Sequence, residues 1–263
     1  MEKRETYLWR ILVTGTCFTL FGLGGLILGL LVFPAMMLLP GGPAKRRART
    51  RGLVQRAFRR FVFVMNGGGG ISYEIRGRER LGRPGQLIIA NHPTLVDVVL
   101  IIAFTPAPAC VVKAAMFRNP FTRRVVQAAG YISNNPTDEM IEASAAALRS
   151  GDALVMFPEG TRTRPGQPLF FNRGAASVAV RAARVLTPIY IRCEPVVLPK
   201  GDSWYQVPRR RPHFTVEVGD DIDLAPYREL LPPKASRQLN AWLLDHYAAR
   251  LETSGGYNGT RAS

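Results

Sequence analysis

The longest apolar stretch of the chain covers residues 11–39, contains no charged residue and is rich in Leu, Ile, Phe and Gly. As a helix it is long enough to cross the roughly 30 Å hydrocarbon core of a bilayer. A cleaved signal peptide would have a shorter apolar region, and a core helix would have a polar face, so both fit less well. Five glycines and Pro34 would allow the segment to bend back on itself. The sequence therefore predicts a membrane anchor, either one helix or a re-entrant helical hairpin.

A basic run comes directly after the apolar segment and contains no acidic residue. Apolar residues recur at helical spacing over 53–62, which favours an interfacial helix on anionic lipid over the alternative of a nucleic-acid patch. We therefore expect membrane lipids as partners and no nucleic acid. The excess of positive charge places the rest of the chain on the cytoplasmic face, and we expect a bacterial inner membrane. We assign residues 1–66 to membrane anchoring and this interfacial helix, whose basic residues are Lys45, Arg46, Arg47, Arg49, Arg51, Arg56, Arg59 and Arg60.

The chain has 263 residues and a formal net charge of +16, which favours anionic partners. Cys17, Cys110 and Cys193 are scattered, with no CxxC and no Cys/His cluster at zinc spacing. This pattern argues against a disulfide framework and a structural metal site, and it fits a reducing, cytosol-facing location. We expect no metal and no bound cofactor.

Short apolar runs alternate with helical stretches from residue 71 to residue 252. This order predicts an α/β domain in which helices cover a mainly parallel mixed sheet. The tail, residues 253–263, is expected to be disordered. Predicted strands cover 72–76, 87–90, 110–113, 153–157, 187–192 and a late or edge strand at 214–218; predicted helices cover 137–149, 175–185 and 234–252.

Two polar turns come after buried strands of the predicted sheet. His92 and Asp97 lie beyond the strand at 87–90, and Glu159 and Arg162 lie beyond the strand at 153–157. Because parallel strands end at one edge of a sheet, we expect the two turns to converge. They would bring together a base, a carboxylate to orient it and an arginine that can bind phosphate or carboxylate. A simple Glu159–Arg162 ion pair is the structural alternative.

These turns resemble motifs of the glycerolipid acyltransferases, the lysophosphatidic acid acyltransferase family. NHPTLVD (91–97) is similar to the NHxxxxD motif, and FPEGTR (157–162) matches that family's FPEGTR motif. Residues 113–132 resemble the segment that contains the second motif, and LTPIYI (186–191) resembles the fourth. The resemblance implies an O-acyltransferase that moves a fatty acyl group from an acyl-CoA or acyl-ACP thioester to a lysophospholipid such as 1-acyl-glycerol-3-phosphate.

The resemblance also implies a role for each matching residue. His92 would be the general base and Asp97 would orient it, without a covalent acyl-enzyme. The expected substrate-binding residues are Glu159, Gly160, Thr161, Arg162, Lys113, Asn134, Asn135 and Arg173.

One departure concerns the acceptor. The family's second motif commonly ends in an arginine, whereas here Ser133-Asn134-Asn135 comes after Ile132. Asparagines can hydrogen-bond a head group but cannot neutralise a phosphate. A non-glycerophosphate lipid acceptor therefore stays open. So do two other classes: a non-catalytic, membrane-anchored anion-binding protein, and a hydrolase that uses the same histidine and aspartate on water.

Overall fold

The structure of the protein is a computed structural model that describes residues 4–135, 137–163 and 167–252. A π-helical turn at Leu28–Val32 and two 3-10 turns at Arg78–Arg80 and Ala114–Phe117 accompany the helices. The helices are α1 (Arg4–Ile27), α2 (Phe33–Met37), α3 (Pro43–Gly67), α4 (Asp97–Phe104), α5 (Arg123–Ala128), α6 (Thr137–Arg149), α7 (Gly174–Ala182), α8 (Ala225–Arg228) and α9 (Pro232–Glu252).

Seven strands form a single mixed sheet in the order β1-β7-β6-β2-β5-β3-β4. Within the described residues, neighbouring strands are parallel except for β6 and β7. The predicted α/β class, a mainly parallel mixed sheet covered by helices, is confirmed. The strands are β1 (Ser72–Arg76), β2 (Gln86–Ala90), β3 (Ala109–Val112), β4 (Ile132–Ser133), β5 (Leu154–Met156), β6 (Val185–Glu194) and β7 (His213–Val218).

Three elements differ from the prediction in position or extent. The predicted late or edge strand, β7, lies inside the sheet because β1 pairs along its outer side. Helix α7 ends at Ala182, three residues before the predicted end, since Val185 already pairs with Gln86 at the start of β6. The two-residue strand β4 has no counterpart in the prediction, because it is too short to produce an alternating pattern.

The functional edge of the sheet is formed by the carboxyl ends of β2 and β5. These strands are parallel neighbours, so the turns after them leave the sheet on the same side. Every residue of β2 is buried, because α3 and α4 cover one face of the sheet and α6, α7 and α9 cover the other. A strand buried on both faces holds its turn in a fixed position.

The N-terminal apolar segment is helical without interruption from Arg4 to Met37. It is long and apolar enough, between Tyr7 and Met36, to cross a membrane. Of the two predicted alternatives, the segment forms the single helix and not the hairpin, because the chain turns only after Met37. A hairpin forms instead with α3: Trp9 Nε1 donates to the carbonyl of Gly68 at 2.9 Å, near the far end of α3.

Glycines on one face of α1 and the adjoining π-helical turn dock this helix against the sheet domain. The Trp204 ring covers Gly15, and the side chain of Arg124 covers Gly29. A Cβ added at Gly25 would lie 2.5 Å from the carbonyl oxygen of Phe121. From Gly15 to Gly29 the contact extends over about 21 Å at 1.5 Å per residue. The helix therefore lies lengthwise against the domain.

The basic helix α3 is also docked on the domain, through Arg51. The prediction places this arginine among the lipid-facing cations, but it is 4% exposed. Its Nη1 atom lies 2.8 Å from Oδ2 of Asp152, and its Nε donates to the carbonyl of Ala129 at 2.8 Å. The buried charge is thus paired, as a buried charge must be. Six other basic residues of α3 are exposed: Lys45, Arg46, Arg47, Arg56, Arg59 and Arg60.

The segment boundaries, residues 1–66 and 71–252, stay a prediction. The predicted disordered tail, residues 253–263, lies outside the described residues.

Candidate active site

His92 and Asp97 meet in the turn between β2 and α4. The Nδ1 atom of His92 lies 2.9 Å from Oδ2 of Asp97, and the Asp97 side chain is fully buried. Asp97 is the first residue of α4, where the helix dipole favours a negative charge. The carboxylate is thus held in place and can keep the imidazole in one tautomer.

Thr94 holds this carboxylate and is absent from the predicted site residues. Its backbone N–H donates to Oδ2 of Asp97 at 2.6 Å, and its hydroxyl donates to Oδ1 at 2.7 Å. Both carboxylate oxygens therefore have a donor besides the histidine. The signal is present in the sequence, because T-x-x-D before an apolar run is typical of a helix N-terminus.

Asn91 fixes the start of the same turn and is likewise absent from the prediction. Its side chain is fully buried and bonds the backbone of Ile191 twice: Nδ2 donates to the carbonyl at 2.8 Å, and Oδ1 accepts from the N–H at 2.7 Å. This pair anchors the end of β2 to β6. No local pattern could reveal it, since the partner lies 100 residues away.

The imidazole of His92 keeps 13% of its side-chain surface exposed. Its ring centroid lies 4.5 Å from that of Phe157, which forms an apolar wall beside it. Within the described part of the chain, Nε2 of His92 makes no hydrogen bond, so this nitrogen can receive a proton from a bound substrate.

Glu159 joins the two turns. Its Oε1 atom accepts from the backbone N–H of His92 at 2.7 Å, and Oε2 accepts from the Thr163 hydroxyl. The backbone N–H of Thr163 in turn donates to the carbonyl of His92 at 3.1 Å. Burial raises the pKa of Glu159 to about 7, although these donors oppose the shift. With both oxygens occupied, Glu159 does not form the alternative ion pair with Arg162.

Gly160 lets the second turn reverse sharply. Its φ of +68° is in the left-handed region, and an added Cβ would lie 3.1 Å from Nδ2 of Asn172. That Nδ2 donates to the carbonyls of Pro158 and Glu159 at 3.2 and 3.1 Å. The amide of Asn172 therefore occupies the space that a larger residue at 160 would need.

Three cations lie beside these turns, one of them unforeseen. Lys113 Nζ donates to the Thr161 hydroxyl at 3.1 Å. Nη1 of Arg162 donates to the carbonyls of Leu198 and Pro199 at 2.9 and 3.1 Å, which places the next residue, Lys200, nearby. Local burial lowers the pKa of Lys113, and the positive charges of Arg162 and Lys200 lower it further. Such a cluster is suited to an anion.

The remaining predicted residues lie around this cluster. Oδ1 of Asn134 accepts from the N–H of Ala114 at 3.0 Å, so its side chain helps to hold the segment after Lys113. Asn135 is exposed, and its carbonyl accepts from the Ser133 hydroxyl at 2.8 Å. Arg173 is exposed directly before α7. The substrate-binding roles of these residues, and of Glu159, Gly160, Thr161, Arg162 and Lys113, stay predictions.

Comparison with known proteins agrees with the motifs. Residues 72–192 match the family model described as Acyltransferase. The chain is 28% identical over 149 residues to the 1-acyl-sn-glycerol-3-phosphate acyltransferase of Pseudomonas aeruginosa, covering 54% of this chain and 58% of the relative. It is 29% identical over 129 residues to the enzyme of the same name from Borreliella burgdorferi, covering 46% and 51%. The chain thus spans about half the length of the curated relatives it matches.

The fold is shared with a solved structure, the 1-acyl-sn-glycerophosphate acyltransferase PlsC from Thermotoga maritima. The TM-score is 0.62 at 19% identity, and the match covers 95% of this chain and 99% of that chain. The family model includes both polar turns, with His92, Asp97 and Glu159. Residues 72–192 therefore form a domain that matches the Acyltransferase family model, in agreement with the family that the two motifs predicted.

Proposed function

We propose that this protein transfers a fatty acyl group from a thioester donor to the hydroxyl of a lysophospholipid, with 1-acyl-glycerol-3-phosphate as the acceptor. The observation that carries this proposal is the 2.9 Å contact between His92 Nδ1 and the buried Asp97, with Nε2 turned away from the pair. A base oriented in this way suits an acceptor hydroxyl. The names of the relatives support the same reaction.

In the proposed mechanism the acceptor hydroxyl lies against Nε2 of His92. Nε2 removes its proton while the oxygen attacks the thioester carbonyl, and the imidazolium forms next to the Asp97 carboxylate, which stabilises its charge. The tetrahedral intermediate then expels the thiolate, and the proton on Nε2 passes to the leaving sulfur. The histidine returns to its starting state, and no acyl-enzyme forms.

The acceptor phosphate would bind to the cations beside the turn. Lys113 and Lys200 present ammonium groups, and Arg162 keeps donors besides the Nη1 that holds Leu198 and Pro199. In this chain asparagine stands where the family commonly has an arginine, and Lys200 supplies the positive charge that this replacement removes. This third cation therefore makes a phosphate-bearing acceptor compatible with Asn134 and Asn135. The proposal needs no metal or bound cofactor.

The protein is proposed to act at the cytoplasmic face of a membrane. Leu12, Leu23 and Ile27 are exposed on α1, away from its glycine face. The exposed cations of α3 fit an anionic lipid surface. Both features support membrane lipids as partners and bring the site close to its lipid acceptor.

The experiment that tests this function is an acceptor screen on the purified full chain in lipid vesicles. Acyl-CoA and acyl-ACP carrying one labelled chain are offered separately with lysophosphatidic acid, lysophosphatidylglycerol, monoacylglycerol or no acceptor. We expect labelled phosphatidic acid, identified by mass spectrometry. Labelled free fatty acid as the main product would instead identify a hydrolase. Labelled diacylglycerol would favour the non-glycerophosphate acceptor, and labelled phosphatidylglycerol would identify a different lysophospholipid as the acceptor.

A histidine control separates catalysis from binding. His92→Gln should abolish transfer, whereas His213→Gln should retain it, because His213 is exposed at the start of β7 and bonds only Ser72 among the described side chains. Vesicle binding without any acyl product in the wild type would favour the non-catalytic alternative.

A further inference from the structure

The loop between β6 and β7 is unusually long. It covers residues 195–212 and contains no helix or strand. Hairpin loops are normally two to five residues long, and structureless loops beyond about 15 residues usually serve a function. This loop (the β6–β7 loop) leaves the sheet at the edge where His92 and Asp97 lie.

The base of the β6–β7 loop contacts the candidate active site. Nη1 of Arg162 donates to the carbonyls of Leu198 and Pro199, both buried. Leu198 adopts a φ of +49°, which is uncommon for a residue with a side chain. This backbone geometry aims two consecutive carbonyls at one guanidinium nitrogen, so the position of Arg162 depends on the loop.

The tip of the loop contacts the apolar helix α1. The Trp204 ring lies on Gly15 and has its centroid 6.5 Å from that of Phe18. Tyr205 packs edge-on against Trp204 at 5.8 Å. Despite these contacts Trp204 is 47% exposed and Tyr205 is 54% exposed. Two large amphipathic rings are thus presented beside a helix of membrane-spanning length.

The chemistry of the loop matches a lipid interface. Trp and Tyr are enriched at the level of the lipid head groups, where one end of the ring is apolar and the other is wet. The loop carries four basic residues and one acid, and Arg209 and Arg210 are exposed. Its apolar surface continues into that of α1, where Leu8 and Leu12 are both 59% exposed. Basic residues beside such a surface attract anionic lipid.

We propose that the β6–β7 loop is a second membrane-binding element, which places Trp204 and Tyr205 in the interface of an anionic bilayer while its base holds Arg162. The membrane contact stands independently of the enzyme's reaction; its consequence for Arg162 rests on the proposed function. Membrane binding would then stabilise the acceptor site in the conformation that receives a lipid.

Tryptophan fluorescence tests the membrane contact without any activity assay. The chain has three tryptophans, so W9F/W242F retains only Trp204 and W9F/W204F retains only Trp242. Trp242 is a matched control, because it is 40% exposed but lies on α9. Each full-length variant is added to phosphatidylethanolamine–phosphatidylglycerol vesicles with or without brominated acyl chains. Trp204 should lose about half its emission or more on brominated lipid, as expected for an interfacial ring, and Trp242 almost none.

The result that overturns the proposal is equal quenching of the two tryptophans, or no quenching of Trp204.

The effect on the site is tested with Y205S/R209Q/R210Q, which leaves every contact of Arg162 in place. Its transfer rate should fall severalfold on a vesicle-embedded acceptor and stay at the wild-type level on a monomeric short-chain acceptor. Equal loss on both acceptors contradicts a membrane role. If the wild type transfers no acyl group at all, the proposed function fails while the fluorescence result still decides the membrane contact.

Discussion

The backbone N–H of His92 donates to Oε1 of Glu159 across 67 residues of sequence, at 2.7 Å. This bond ties the turn after β2 to the turn after β5. His92 is therefore positioned from two sides: Asp97 contacts its ring, and Glu159 fixes its backbone. These two constraints, together with the docking of α1, determine how the protein should respond to substitution.

Asp97→Asn should lower kcat by about 100-fold to 10,000-fold, the range expected when an acid–base group loses its orientation and charge partner. The asparagine can still accept from the N–H of Thr94 with its oxygen and donate to the Thr94 hydroxyl with its amide. The fold should therefore survive, as checked by circular dichroism and thermal unfolding. Wild-type kcat in a folded Asp97→Asn variant would show that the carboxylate has no role in the reaction.

Thr94→Val should lower the free energy of unfolding by about 1–3 kcal/mol, because Val96 loses a hydrogen-bond acceptor and Asp97 loses a donor. The kcat should fall less than in Asp97→Asn, since the Thr94 N–H still holds the carboxylate. Thr105→Val is the matched control: its hydroxyl is buried and bonds the carbonyl of Ile101 at the end of α4. It should lose stability without a change in kcat. Equal kcat losses in both variants would mean that Thr94 acts only through stability.

Glu159→Gln should change how stability depends on pH. Burial raises the pKa of Glu159 from its ordinary 4.5 to about 7, so the folded state binds a proton more tightly than the unfolded state. The wild type should therefore lose stability as pH rises from about 4.5 to about 7, by up to about 3 kcal/mol, and lose no more from this group above that range. The glutamine cannot ionise and keeps an acceptor for His92 and a donor for Thr163.

The measurement is denaturant unfolding of wild type and Glu159→Gln in detergent at several pH values. The stability of the variant relative to the wild type should rise with pH across this window. Parallel stability curves would show that the carboxyl has its ordinary pKa. Glu159→Ala should lose activity at every pH, because neither His92 nor Thr163 keeps its acceptor.

Gly25→Ala and Gly24→Ala should have opposite effects on stability. Replacing a helical glycine by alanine favours the helix by roughly 0.5–1 kcal/mol, and an added Cβ at Gly24 meets nothing within 4 Å. At Gly25 it would lie 2.5 Å from the carbonyl of Phe121, so α1 must move away. Thermal unfolding in one detergent should give a higher Tm than wild type for Gly24→Ala and a lower Tm than wild type for Gly25→Ala. The same rise in both variants would mean that α1 is not docked on the domain.

Lys113→Met and Lys200→Met should each raise KM for lysophosphatidic acid about tenfold, which corresponds to about 1.4 kcal/mol per lost phosphate contact. The KM for monoacylglycerol, which has no phosphate, should not change. Lys234→Met, an exposed lysine of α9, is the charge-matched control and should alter neither value. An equal rise for both acceptors would place the lysines at the acyl donor or at the membrane surface.

The sequence is sufficient to predict the elements whose signal is local. Ser72–Arg76 and Thr137–Arg149 have the predicted bounds, because alternation defines the strand, and acidic residues in the first turn and Gly151 after the last turn define the helix. The convergence of His92 with Glu159 is also predictable, since it needs only two parallel strands that end at the same edge. The family motifs then predict the class of reaction.

Long-range partners are not predictable in this way. Asn91 depends on Ile191, and Arg162 depends on the carbonyls of a loop that lies beyond β6. The burial of Arg51 also contradicts its place in a basic run, because the pairing with Asp152 is formed only by tertiary packing. In each case composition and periodicity describe the local surroundings of one residue. The contact depends on where the fold places its partner, which is distant in sequence.

The central claim is that His92 is the base that activates the acceptor hydroxyl. It is tested most directly by single-turnover transfer of a labelled acyl chain to lysophosphatidic acid, comparing His92→Gln with wild type at matched folding and vesicle binding. The claim predicts at least about a 100-fold lower rate constant for the variant, as expected for loss of a general base. A rate constant within a fewfold of wild type would contradict it.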